Sequence, residues 1–159
     1  MVAEGVWVAL AVGLSMGIPG IMSALGVGLA GVAAAAVASE DPKKAYTAFV
    51  MEVLPGTQGI YGFVAGFLIL VGSALSGGAG GITVKEGIVG LAVLCAALPA
   101  ILQGFTSYAQ GRVAAAGIAA FAKRPEVFAP SIMYTVMVEL YAILGLLGTI
   151  LMLTFTGAL

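Results

Sequence analysis

Four long apolar stretches, separated by short clusters of charge or glycine, divide the chain. The first, Gly5 to Ser39, holds no charged residue. Glu40-Asp41-Pro42-Lys43-Lys44 follows, with four charges around a helix-breaking proline, and reads as a tight loop. The second stretch, Ala45 to about Leu75, carries one charge, Glu52. Ser76-Gly77-Gly78-Ala79-Gly80-Gly81 then reads as a flexible glycine-rich turn. The third stretch runs from about Ile82 to Ala122 with Arg112 in its body, and Lys123-Arg124-Pro125-Glu126 is a second charged turn. The last, Val127 to about Phe155, carries only Glu139. One bilayer crossing takes about 20 mostly apolar residues. The pattern therefore predicts an all-α integral membrane protein of four helices, about 5–39, 45–75, 82–122 and 127–156. They form two fused transmembrane hairpins, residues 1–80 and 81–159. Stretches this long exceed the hydrocarbon thickness, so some helices should protrude from it.

Orientation follows the basic residues of short loops. Lys43, Lys44, Lys123 and Arg124 lie in the two charged turns, against Lys85 alone on the other side. Both charged turns are expected in the cytoplasm, with the termini and the loop at 76–81 outside. The first helix does not read as a cleaved signal peptide: it opens on Glu4 rather than a basic region, and its apolar run is too long.

Composition narrows the chemistry. Over 159 residues, 62% are hydrophobic and 8% charged, with a net charge of −1. Such a surface suits a lipid bilayer and argues against nucleic acid as a partner. Histidine is absent, so His-based catalysis and His metal sites are excluded. The single cysteine, Cys95, rules out an intramolecular disulfide framework and reads as a lipid-facing or packing residue.

The hairpins resemble one another. An offset of 83 residues aligns Pro42 with Pro125, Gly28 with Gly111, Ala36 with Ala119 and Gly62 with Gly145, without a gap. The matched charged turns, each centred on proline, point to one ancestral hairpin, duplicated in parallel orientation. The chemistry is not duplicated: Glu139 aligns with Gly56. In the first helix Gly13, Gly17, Gly20, Ala24, Gly28, Gly31 and Ala35 form one small-residue face, and Ala96, Ala100, Ser107, Gly111 and Ala114 repeat it more loosely in the third. Small faces let transmembrane helices approach closely, either within a hairpin pair or in an inner cylinder of helices from many copies.

A charge at membrane depth marks function by default. Glu139 lies 13 residues beyond Glu126, about 20 Å into the membrane at the helical rise. Gln110, Thr57 and Gln58 fall at similar depth, and Leu54, Thr57 and Gln58 share one helix face. Pro55 lacks an N–H, which deprives the Met51 carbonyl of its helical donor and splays the local helix, turning a carbonyl such as that of Leu54 towards a ligand. Tyr61, one turn on, is within reach of a carboxylate on an adjacent helix. One carboxylate, two amide carbonyls, a hydroxyl and a backbone carbonyl are hard oxygen ligands with a single negative charge. This inventory leans towards sodium, with a proton as the alternative. Glu52 is a second carboxylate, about 12 Å beyond Lys44. It could lie near the interface, pair with Arg112, or tune the site; a structural or tuning role is expected.

Leu54-Pro55-Gly56-Thr57-Gln58-Gly59-Ile60-Tyr61-Gly62-Phe63, Ala109 to Ile118 and Met137 to Gly145 together resemble the signatures of the V-type (bacterial or archaeal-like) rotary ATPase rotor-ring proteolipid. The similarity covers nearly the whole chain and is greatest to the four-helix sodium-type form, subunit K. It implies a homo-oligomeric ring of about ten copies, turned through central-stalk subunits by a cytoplasmic ATP-hydrolysing motor, against a membrane stator subunit. It implies sodium ligands at Leu54 (backbone carbonyl), Thr57, Gln58, Gln110 and Glu139, with Tyr61 bonding the carboxylate. Glu52 departs from the glutamine common in that form. No GxxxxGK[ST] phosphate loop is present, so the chain is expected to be non-catalytic by itself. Two other classes share some of these features: a small four-helix cation or multidrug antiporter, and a purely structural membrane proteolipid.

Overall fold

The computed structural model describes residues 2–78 and 81–159. Helix α1 runs unbroken over Val2–Glu40. A 310 turn at Pro42–Lys44 leads into α2 (Ala45–Glu52). A second 310 turn at Leu54–Gly56 separates α2 from α3 (Thr57–Ser73). After a short two-stranded excursion come α4 (Gly90–Gln103), α5 (Thr106–Lys123) and α6 (Phe128–Phe155). Four of the resulting stretches, Glu4–Glu40, Pro42–Ser73, Gly90–Lys123 and Pro125–Phe155, are long and apolar enough to cross a membrane.

The glycine-rich segment differs from its expected form. Ala74–Gly78 (β1) and Gly81–Val84 (β2) pair antiparallel, with Ala74 opposite Val84 and Leu75 opposite Thr83. The run Ile82-Thr83-Val84 is β-branched throughout, which favours extended backbone over helix. The third helical stretch therefore starts at Gly90 rather than near 82, beyond a turn at Gly87, whose φ of +84° suits glycine. Residues 79–80, at the tip of the expected turn, lie outside the described residues.

Two apolar clusters fill the molecule. One, towards the strand end, joins Val8, Ala11, Ile69, Val93, Ala97, Ile101 and Leu153. The other, towards the charged turns, joins Ala30, Ala34, Val37, Ala48, Met51, Ala114, Ile118 and Phe121. A belt of buried polar side chains lies between them: Ser23, Gln58, Gln103, Ser107, Gln110, Thr135 and Glu139. Large residues such as Ile60, Phe63, Phe67, Leu140, Leu144, Leu147 and Leu151 stand exposed on the outside, as a lipid-facing surface requires.

Helix α1 carries two small-residue stripes. The buried one is Ala11, Ser15, Pro19, Ser23, Gly26, Ala30 and Ala34, spaced three or four apart. The stripe singled out from the sequence faces away: Gly13, Gly17, Gly20 and Gly28 have open space beside them. The small residues of the third stretch, Ala96, Ala100, Ser107, Gly111 and Ala114, are buried within the chain.

Helices α1 and α5 approach closely where they cross. A Cβ on Gly111 would fall within van der Waals contact of the Gly26 backbone, and one on Gly62 or Gly104 would meet the buried Pro19 ring. At the strand end, the Glu4 carboxylate accepts a hydrogen bond from the N–H of Gly90 and so caps α4. At the other end, Lys44 Nζ donates to the Ala122 carbonyl at 2.8 Å, tying the two charged turns together. Replacing Gly111 with Val should destabilise the fold by about 3 kcal/mol, because its neighbour is backbone and cannot repack. Thermal unfolding in detergent, followed by circular dichroism, measures this.

Candidate functional site

Two helix interruptions meet at the polar belt. In the second stretch, Pro55 ends α2 and imposes the 310 turn at Leu54–Gly56. In the third, Gly104 and Phe105 form a turn between α4 and α5. Side chains stitch the breaks together. Ser107 Oγ donates to the Pro55 carbonyl, and Gln103 Nε2 donates to the Gln58 carbonyl at 3.1 Å. On the other side, the N–H of Gly59 donates to Ser23 Oγ at 2.7 Å. The start of α3 is thereby held from both neighbours.

Thr57, Gln58 and Tyr61 project from this held turn, and Glu139 from α6 meets them. Glu139 is 8% exposed. Its Oε2 accepts from Thr57 Oγ1 at 2.7 Å and from Gln110 Nε2 at 2.8 Å. Its Oε1 accepts from the Tyr61 hydroxyl at 2.5 Å. Gln110 also donates to the Thr135 carbonyl at 3.2 Å and accepts from Gln58 Nε2 through its Oε1. Both glutamines are fully buried. Glu139 and the five positions singled out around it from the sequence, Leu54, Thr57, Gln58, Tyr61 and Gln110, thus lie in one network, with Pro55 shaping its backbone.

Oxygens crowd around Thr57. Its Oγ1 lies 2.9 Å from the Leu54 carbonyl, 3.4 Å from Gln58 Oε1 and 2.7 Å from Glu139 Oε2. A hydroxyl has one proton, so it can satisfy one of these three acceptors at a time. More oxygens than protons therefore gather around the Thr57 hydroxyl, next to the buried Gln58 and Glu139 side chains.

Glu52 does not join the site. It lies across Gly31 of α1, where an added Cβ would be 3.0 Å from its Oε1. Arg112 is exposed on α5, and the ion pair found among the described residues joins Lys44 to Asp41 instead. Pairing of Glu52 with Arg112 within the chain is therefore not observed. Cys95 is exposed and outside the site.

Four participants were not assigned to the site from the sequence: Ser23, Gln103, Ser107 and Thr135. A signal existed for three of them. Gln103, Ser107 and Gln110 recur at helical spacing on one face, and Thr135 precedes Glu139 by four residues. Gln103 Oε1 is buried with no hydrogen-bond partner among the described residues.

Comparison with known proteins gives the family. The sequence profile of the ATP synthase C subunit matches twice, over residues 10–69 and 88–152. The chain belongs to the ATP synthase C-subunit family. It is a multi-pass membrane protein with one matched segment in each half of the chain. The V-type sodium ATPase subunit K of Enterococcus hirae is 47% identical over 129 residues, covering 79% of this chain and 76% of that protein. The A-type ATP synthase subunit K of Methanocaldococcus jannaschii is 38% identical over 145 residues, covering 91% of this chain and 60% of that longer protein.

The network should show energetic coupling. Gln110→Leu strands the Gln58 amide and removes one donor from Glu139, so Gln58→Leu and Gln110→Leu together should cost less than the sum of the two. A coupling of about 1–2 kcal/mol is expected from a double-mutant cycle of thermal unfolding in detergent. Additive losses would mean that the two amides act independently.

Proposed function

We propose that this chain is an ion-carrying rotor-ring subunit of a rotary ATPase, and that its cargo is sodium. One observation carries the reading: a buried carboxylate at membrane depth, with a hydroxyl, an amide oxygen and a backbone carbonyl converging beside it. A proton carrier needs the carboxyl and a hydrogen-bond partner. The surplus of oxygens over protons around Thr57 is what a sodium ion would use. The sodium-ATPase relative at 47% identity supports the same choice.

Glu139 provides the charge, and Thr57 Oγ1, Gln58 Oε1 and the Leu54 carbonyl provide neutral oxygens. Gln110 joins them when its amide turns over, since its nitrogen faces Glu139. Tyr61 and Pro55 support the site, the first by orienting the carboxylate, the second by setting the turn. The loaded site is neutral and can pass lipid as the ring of about ten copies turns. At a membrane stator subunit, a cation from that partner competes for Glu139 and releases the ion. Offset access paths on the two sides of the membrane give the transfer its direction. ATP chemistry resides in other subunits, reached through the central stalk, so the chain itself is not catalytic. The charged turns at 40–44 and 123–126 face the cytoplasm, by the balance of basic residues.

Carbodiimide labelling of the purified oligomer tests this, because the reagent modifies a protonated, reachable carboxyl. Glu139 should label and sodium should protect it competitively. Labelling that ignores sodium would reassign the cargo to protons. Labelling at Glu52 with none at Glu139 would contradict the site assignment. An unaltered coupled transport activity in Glu139→Gln would contradict the rotor role itself.

A further inference from the structure

The flanks of the molecule carry two open apolar grooves, each with one charge. The first is lined by Gly31, Ala35, Ala38, Ala45, Phe49 and Glu52. The second is lined by Arg112, Val113, Gly117, Ala120, Ser131 and Tyr134. An ionised side chain at membrane depth without a partner is expensive, and neither charge has one among the described residues.

The 83-residue repeat identifies what each groove fits. Inside the chain, Ala30, Ala34, Val37, Ala48 and Met51 of the first hairpin share one apolar cluster with Ala114, Ile118, Phe121, Phe128 and Ile132 of the second. Moving the first set forward by 83 positions gives Val113, Gly117, Ala120, Ser131 and Tyr134, and every one lines the Arg112 groove. Moving the second set back by 83 gives Gly31, Ala35, Ala38, Ala45 and Phe49, and every one lines the Glu52 groove. The two grooves are the two halves of the internal hairpin–hairpin interface, each without its other half. A second copy supplies it. The contact is head-to-tail, leaves one groove of each kind free, and repeats until it closes.

The same register places the charges. Glu52 lies on Gly31. The internal counterparts of Gly31 and Val113 are Ala114 and Ala30, which belong to the same buried cluster. Gly31 of one copy therefore falls beside Val113 of the next, and Arg112 precedes Val113. Glu52 lies about 12 Å and Arg112 about 16 Å from their charged turns at the helical rise, a difference that a long arginine side chain spans. We propose that neighbouring copies are joined at membrane depth by an ion pair from Arg112 of one to Glu52 of the next. The pair rests on the ring reading above and gives Glu52 a structural role separate from the ion site. It has no counterpart inside the chain, where the equivalent positions are Leu29 and Thr135. It marks the joint between copies and not the joint between hairpins.

Cross-linking tests the placement. In a Cys95→Ser background, Glu52→Cys and Arg112→Cys on one chain, treated with a short bifunctional methanethiosulfonate, should give a ladder of multimers from the dimer upwards, lost on reduction. Chains with either cysteine alone should give no ladder. A monomer linked within itself, or no linkage in oligomers that remain intact by size, overturns the proposal. Charge tests the interaction. Glu52→Gln or Arg112→Gln should lower the temperature at which the oligomer dissociates in detergent, and Glu52→Arg with Arg112→Glu should recover most of the loss. Single variants as heat-resistant as the parent, or a reversed pair no better than either, overturn it. If the unaltered protein runs as a single chain in mild detergent, the ring reading fails instead, which sets the two failures apart.

Discussion

A carboxylate in the middle of a bilayer must be neutralised or bonded on every side, and the construction of this molecule around Glu139 follows from that. Three donors from three separate positions, Thr57, Tyr61 and Gln110, converge on its two oxygens. None of the three can hold its geometry alone. Gln110 is fixed by Gln58 and by the Thr135 carbonyl, and Thr57 by the turn that Pro55 imposes. Partial satisfaction of such a network in a low-dielectric interior would be worse than none.

The network exists because helices come unusually close. Gly26 and Gly111 let α1 and α5 touch backbone to backbone, and the Pro19 ring occupies the space left by Gly62 and Gly104. Closeness brings Ser23 and Ser107 within reach of the interrupted backbone near Pro55. Interruption and small residues are thus one device: the first frees backbone groups, the second brings side chains near enough to bond them. Apolar clusters on either side keep the belt dry and leave the large residues for lipid.

Much of this is legible in the chain because membrane physics is so restrictive. Charge-free stretches of this length admit few structures other than spanning helices, and polar residues at one depth point to a common site. Glu139, Gln110, Gln58 and Thr57 meet for that reason. What escapes is local. The β-branched run Ile82-Thr83-Val84 forms a strand pair where glycine suggested a loose turn, so α4 begins later than expected. The small stripe on α1 was visible, but a second stripe one step around the helix is the one buried, and periodicity alone cannot choose between two small faces. Ser107 and Gln103 escape the site assignment because a single polar residue in a helix is equally compatible with bonding to its own backbone.

Equilibrium binding of radioactive sodium to the purified oligomer in detergent tests the central claim most directly. One ion per chain should bind in the parent protein and none in Glu139→Gln, with Thr57→Val and Gln58→Leu each weakening binding by at least tenfold. Stoichiometric sodium binding that survives Glu139→Gln would contradict the account.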